Sequence, residues 1–263
     1  MSFDTLLFDV ADNVATMTLN RPDKLNAFVA QMHAEIRQVL DRLESGETGA
    51  RCLLITGAGR GFCSGQDLTE RRPSADGTPT PSTSLVDNFH PMAMRLRDLE
   101  MPVVAAVNGV AAGAGASLAL NCDIVLAAKS ARFIQVFERI GLVPDVGSTY
   151  FLPRLVGQAR AMGLAMLAEP ITGEQAESWG MIWRAVEDDA LMDEATIFTK
   201  HLATRPTVAL AGIKRAIRAS FDNGFEAQLA LEAKTQAACG LTADNREGIN
   251  AFLEKRQPVF QGR

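Results

Sequence analysis

The chain has 263 residues, 47% of them hydrophobic and 22% charged, a balance ordinary for a globular protein and a length that can bury a sizeable core in one large domain. Its formal net charge of -5 and pI near 5.3 argue against nucleic acid or an anionic membrane surface as the main partner. Cys52, Cys63, Cys122 and Cys239 stand far apart, and His33, His90 and His201 do not cluster, so no metal site and no Cys/His catalysis is expected.

In chain order, Leu6-Leu7-Phe8 and Val14–Leu19 read as two strands around a turn at Asp12-Asn13. A helix is predicted from Asn26, with Phe28, Met32, Ile36, Val39, Leu40 and Leu43 on one face, and Gly46 marks its end. His33 falls off that face and reads as solvated. Residues 52–56 form a continuous apolar strand, followed by Gly57-Ala58-Gly59-Arg60-Gly61-Phe62-Cys63-Ser64-Gly65-Gln66-Asp67-Leu68. Four glycines after a buried strand require tight bending, which serves equally an ordinary turn and a loop that exposes its amides. Residues 72–84, rich in Pro, Ser and Thr, fit either a lid or a disordered excursion. Leu85, Phe89, Met92, Leu96 and Leu99 then predict a helix.

Residues 102–120 organise the chain. A β-branched run passes through Asn108-Gly109, becomes a Gly/Ala loop, and ends in Ser117-Leu118-Ala119-Leu120, a credible helix start. Such a unit aims unpaired backbone N–H groups at whatever sits above the loop. No charged residue occurs between Glu100 and Asp123, yet the internal turn and the polar Asn108, Ser117 and Asn121 make a buried element, not a membrane span, the expectation. Gly113-Ala114-Gly115 lacks the third glycine of a dinucleotide fingerprint.

A further buried strand is predicted over 123–128. Asp145 follows Leu142-Val143-Pro144 and precedes Val146-Gly147. On local sequence it reads as a cap for a helix near Gly147. If it faces a closed apolar cavity, it becomes suited to general acid–base work. Helix is predicted over 160–167, Thr172-Gly173-Glu174-Gln175 has the spacing of a capping box, and Gly180 is a stop. A strand over 181–186 precedes helices from about Leu191, from Pro206, and from Phe225 to about Arg256. The expected organisation is a ββα core over 1–200 and a helical region over 201–263.

Taken together, Asn20-Arg21-Pro22…Leu25-Asn26-Ala27, the run from Gly61 to Leu68, Ala106-Val107-Asn108-Gly109…Gly113-Ala114-Gly115, Cys122-Asp123-Ile124 and Phe252-Leu253-Glu254-Lys255-Arg256 make the chain resemble the crotonase (enoyl-CoA hydratase/isomerase) superfamily over its full length. The resemblance implies an α/β fold, a spiral of ββα units with an α-helical C-terminal extension that serves trimerisation and CoA contact. It implies an acyl-CoA thioester substrate, with CoA entering as part of that substrate and no separate cofactor or metal. A homotrimer or a hexamer built as a dimer of trimers is implied as well. Met1-Ser2-Phe3-Asp4 carries no basic stretch ahead of an apolar one, so no secretory signal and a cytoplasmic setting are expected.

Residue by residue, the resemblance places the two oxyanion donors on the backbone N–H of Gln66 and Ala114. Lys24, Leu25, Cys63, Asp67 and Leu68 would lie along the CoA path, with Gly113 beside the donors and Phe252 and Lys255 as C-terminal CoA contacts. Hydratases of the family carry two Glu side chains around a water; Ser117 and Phe137 stand at the matching positions here. Asp145 falls where family isomerases carry an essential Asp, with Phe137, Leu142 and Val143 as pocket wall. A lone carboxylate can shuttle a proton, whereas adding water needs a second group, so isomerisation is expected. The segments 62–68, 141–145, 161–165 and 179–183 look most like the branch that converts a ring-1,2-epoxyphenylacetyl-CoA to an oxepin-CoA. A Δ3,Δ2-enoyl-CoA isomerase, a hydratase using Glu138, and a non-catalytic acyl-CoA-binding relative remain open.

Overall fold

The computed structural model describes residues 3–70 and 83–263. Strands β1 (Leu6–Ala11) and β2 (Val14–Leu19) form an antiparallel hairpin whose turn residues, Asp12 and Asn13, both take positive φ, the geometry that matches strand twist in a two-residue connection. Helix α1 (Ala30–Glu44) starts four residues later than its apolar spacing predicts. Leu25 and Asn26 sit at φ 47° and 56°, and Phe28 then bridges to Gln66, so this stretch is irregular and extended. Phe28 is buried as expected, but from outside the helix.

His33 is a correction. It is 2% exposed, stacked on Phe28 (centroids 5.1 Å apart) and edge-on to Phe89 at 4.4 Å. The extended segment carries Phe28 over the first turn of α1, which closes the face that the helical wheel leaves open. Burial, with the Arg37 charge second, pushes the imidazole down to about 4, so it is neutral at pH 7. Because the unfolded ring titrates near 6.5, its contribution to stability is complete above that pH and is lost as pH falls toward 4. The shift corresponds to about 3 kcal/mol. His33→Phe is therefore expected to flatten the fall in urea-unfolding stability between pH 6.5 and 4; an unchanged slope would contradict this assignment.

Strand β3 (Cys52–Gly57) pairs parallel with β2, and β4 (Gly61–Cys63) leaves it for a second sheet. A turn of π-helix (Leu85–Phe89) leads into α2 (His90–Asp98). The organising stretch resolves into β5 (Val103–Val107), β6 (Val110–Ala112) and α3 (Ala114–Asn121). Next come β7 (Ile124–Ala128), β8 (Arg132–Ile134) and α4 (Ser148–Leu167), which begins well before the predicted 160 and kinks at Gly157. Strand β9 (Ile171–Thr172) precedes α5 (Gly173–Ser178), whose cap Thr172 accepts from the Gln175 N–H at 2.9 Å.

Of the strand predicted over 181–186 only β10 (Arg184–Val186) forms; Met181 and Ile182 are buried in the turn before it. The helical remainder is α6 (Leu191–Ala203), α7 (Thr207–Ala219), α8 (Phe225–Gly240) and α9 (Ala243–Glu254). The expected 200/201 division falls inside α6. The long last helix is in fact two, because Thr242 caps α9 by accepting from the Asn245 N–H.

The large sheet runs β1-β2-β3-β5-β7-β10 and the small one β4-β6-β8-β9. In β3/β4, β5/β6 and β7/β8 the first strand joins the large sheet and the second the small, and parallel pairing stacks these units. The result is the expected spiral of ββα units. Lys214 of α7 docks the helical region onto it: its buried ammonium donates to the carbonyls of Leu96, Leu99 and Met101 and pairs with Asp123 at 3.0 Å.

Candidate active site

Two loops meet where the small sheet ends. Asn26, fully buried, builds the first: its Oδ1 accepts from the Arg21 N–H (2.8 Å) and its Nδ2 donates to Ala58 O and Gly61 O (2.9 and 2.8 Å). Arg21 reaches across to Asp67 at 3.0 Å and donates to Ala27 O at 2.6 Å. The Phe28 N–H donates to Gly65 O and the Asp67 N–H to Phe28 O. Gln66 lies between those two bonds, and its own N–H has no acceptor among the described residues.

The second loop is the start of α3. Ala114 is the first helical residue after Gly113 (φ 52°), so its N–H has no carbonyl one turn back and finds no other among the described residues. All eight residues of α3 are buried, which removes competing water from this positive helix end. The loops touch through glycine. A Cβ on Gly65, at φ 93°, would stand 3.0 Å from Ala112 O and 3.4 Å from Ala114 N. One on Gly115 would stand 2.1 Å from Cys63 O, a backbone collision that no rotamer relieves. Gly115→Ala is expected to push the loops apart, lowering turnover more than tenfold and the melting temperature by several degrees. Wild-type values of both would show that the approach is dispensable.

A cavity of about 260 Å³ opens over the two amides. Its wall includes Ser64, Gly65, Gln66, Leu68, Gly113, Ala114, Phe137, Leu142 and Asp145, so seven of the residues expected at the site converge there. Phe89, Val136, Arg139 and Ile140 complete it and were not anticipated. A larger cavity, about 350 Å³, lies between α4, α6 and α7, away from both donor loops.

Asp145 is half-buried with Oδ1 shielded from solvent. Its side chain does not cap α4, for which Gly147 is the cap residue, so the local reading as a helix cap does not hold. The next residue, Val146, is buried at φ 51°, a left-handed conformation that costs a β-branched residue about 1–3 kcal/mol. No other carboxylate among the described residues lines the cavity. Glu138 lies outside it, exposed and 3.8 Å from the Arg139 guanidinium.

The remaining expected contacts lie outside the cavity wall. Lys24 is exposed on a short 3-10 turn, and Leu25 is half-buried beside Gly61. The Cys63 thiol is fully buried against Asn26 O and pushed up to about 12 by burial. Asp67 is held below its ordinary value, first by the Thr69 hydroxyl and then by Arg21. Val143 is 76% exposed. Phe252 and Lys255 are exposed at the end of α9, and Phe252 borders a separate pocket with Pro206 and Phe260. Residues 72–82 of the expected lid lie outside the described residues. Among the described residues no group of three or more His, Cys, Asp or Glu could hold a metal ion, and no helix is long and apolar enough to cross a membrane.

A spiral ββα core that presents two main-chain donors above an apolar cavity is the frame of the crotonase superfamily. The family described as enoyl-CoA hydratase/isomerase matches residues 9–263, and the chain belongs to it. It is 50% identical over 260 residues to the 1,2-epoxyphenylacetyl-CoA isomerase of Escherichia coli (strain K12), covering 98% of each chain. It is 47% identical over 263 residues, the whole of both chains, to a Rhodobacter capsulatus protein named "Probable enoyl-CoA hydratase". The crystal structure of an enoyl-CoA hydratase/isomerase from Cupriavidus metallidurans CH34 superimposes with a TM-score of 0.91 at 36% identity, covering 100% of this chain and 98% of that one.

Proposed function

We propose that the chain is an acyl-CoA isomerase in which Asp145 moves a proton between two carbons of the acyl group while Gln66 and Ala114 hold the thioester oxygen. Asp145 takes the proton from the carbon next to the thioester, and the electron pair moves onto that oxygen as an enolate. The two N–H groups, fixed and partly dry, stabilise the charge by about 3 kcal/mol each. The pair then returns along the conjugated system and the same carboxyl delivers its proton to a carbon further on, so nothing is gained or lost. The substrate is a ring-1,2-epoxyphenylacetyl-CoA and the product an oxepin-CoA, a reading supported by the 50% identity over nearly the full length. The ring C–C bond shared with the epoxide breaks and its electron pair joins the ring's double bonds, so the six-membered carbocycle expands to the seven-membered oxepin with both C–O bonds kept, and Asp145 moves the proton from the carbon next to the thioester to a ring carbon.

The observation that carries this reading is the lone carboxylate: Asp145 shares its cavity with both unpaired amides and with no second acid among the described residues. Ser117 and Phe137, where hydratases of the family hold their acids, supply none. CoA enters as part of the substrate, with no separate cofactor, and its path runs past Lys24, Leu25 and Asp67. The working form is a homotrimer or dimer of trimers; α8 buries none of its residues within the chain and leaves Phe225 and Leu229 exposed, as is Leu241 just after it.

Turnover assays on the ring epoxide and on 3-enoyl-CoA esters of several lengths, run in 18O water, test the proposal. Conversion of the epoxide without 18O uptake is expected. Conversion of 3-enoyl esters alone would replace it with a straight-chain isomerase, and 18O in the product with a hydratase.

A further inference from the structure

Ser117 occupies one of the positions where hydratases of the family carry an acid, and it is not idle. It lies one turn into α3, three residues after the Ala114 donor. Its Oγ is 3.0 Å from the main-chain oxygen of Asp145, 3.1 Å from that of Gly113, and 2.6 Å from the Ser148 hydroxyl. The Ser148 N–H already donates to Asp145 O at 3.0 Å, and the Ser117 N–H to Gly113 O at 3.0 Å. The Ser148 hydroxyl has no other acceptor among the described residues and donates to Ser117 Oγ, which leaves the Ser117 hydroxyl shared between Asp145 O and Gly113 O and so bridging the two backbones.

One turn further on, Asn121 Nδ2 donates to the next carbonyl, Val146 O, at 3.0 Å. Two side chains at i and i+4 of one helix thus pin two consecutive carbonyls of the segment that carries Asp145. Between those carbonyls lies Val146 at φ 51°, a conformation that persists only where the surroundings over-determine it. Ser117 and Asn121 are both fully buried, 0% and 1% exposed, so water does not compete for these bonds.

We propose that Ser117, supported by Asn121, is a positioning residue that fixes the Asp145 carboxyl relative to the Ala114 N–H by tying both to α3. The thioester oxygen and the group that takes the proton are then referenced to one short buried helix. A shift of α3 moves both together, and loss of the tie lets them drift apart. This inference rests on Asp145 as the proton carrier.

The test compares Ser117→Ala and Asn121→Ala with Ser117→Cys, which keeps the size and a weak donor. Phenylacetyl-CoA serves as an unreactive probe for isomerisation, its binding and the exchange of its α-hydrogens with D2O being measured separately. In Ser117→Ala, exchange and kcat are expected to fall about 10- to 100-fold, as for a misplacement of about 1 Å. The Kd for the probe should change less than about threefold, since both amides remain. Ser117→Cys should recover part of the loss, and Asn121→Ala should reproduce it more weakly. Wild-type exchange in Ser117→Ala while Asp145→Asn is inactive would overturn the positioning role alone. Loss of binding and exchange in proportion to lost melting temperature would reduce Ser117 to a structural residue. Exchange that survives Asp145→Asn would remove the proton carrier and this inference with it. If Ser117→Ala does not fold, Ser117→Cys and Asn121→Ala decide on the same criteria.

Discussion

Asp145→Asn is expected to lower kcat about 10³-fold and leave acyl-CoA binding within a few-fold of wild type. The amide keeps the size and half-buried position of the carboxyl but cannot accept a proton from carbon at any accessible pH. In the proposed arrangement binding rests mainly on groups the substitution does not touch: the amides of Gln66 and Ala114 and the wall of Phe89, Phe137 and Leu142, all of which line the cavity. A carboxylate that merely tuned the pocket's polarity would show the opposite split, with a raised KM and a nearly normal kcat. Steady-state kinetics with a direct Kd measurement separates the two.

Ala114→Pro is expected to cost about 10²–10³-fold in kcat, the effect of deleting one oxyanion donor. The substitution suits this position because Ala114 is the first residue of α3, where the missing N–H has no intrahelical role and proline's fixed φ agrees with the helix. Melting temperature and circular dichroism should therefore stay close to wild type while turnover collapses. Comparable activity in a folded Ala114→Pro protein would mean that the oxyanion is stabilised elsewhere. On the proposal that Asp145 and Ala114 serve the same transition state, the double variant is expected to lose less than the product of the two single losses.

Much of this site is legible in the sequence because backbone chemistry leaves local traces. A β-branched run, a turn dipeptide and a Gly/Ala stretch before an apolar helix point to a loop with exposed amides, whereas the four glycines after a buried strand fit an ordinary turn equally well; it is the family resemblance that assigns the two donors to Gln66 and Ala114. What sequence could not supply was contact between segments far apart in the chain. His33 reads as solvated on the α1 wheel because the rings that cover it, Phe28 and Phe89, come from an extended turn and from a π-helical turn. Asp145 reads locally as a cap because the ties that hold its backbone reach from Ser117 and Asn121, 28 and 25 residues away. Phe89 shows only as part of the apolar spacing of a helix, and Arg139 leaves no periodic signal, so neither is legible as cavity wall. The motif residues Arg21, Asn26 and Asp67 turn out to be bound chiefly to one another's loops, where they brace the loop that carries Gln66 to the cavity wall.

One crystal structure, of the protein with phenylacetyl-CoA bound, puts the arrangement to its most direct test. The thioester oxygen should sit within hydrogen-bonding distance, about 2.7–3.1 Å, of both the Gln66 and Ala114 nitrogens. The Asp145 carboxylate should stand about 3–4 Å from the carbon next to the thioester. A thioester oxygen bound away from those nitrogens, or an Asp145 side chain turned toward bulk solvent with ligand in place, would contradict the account.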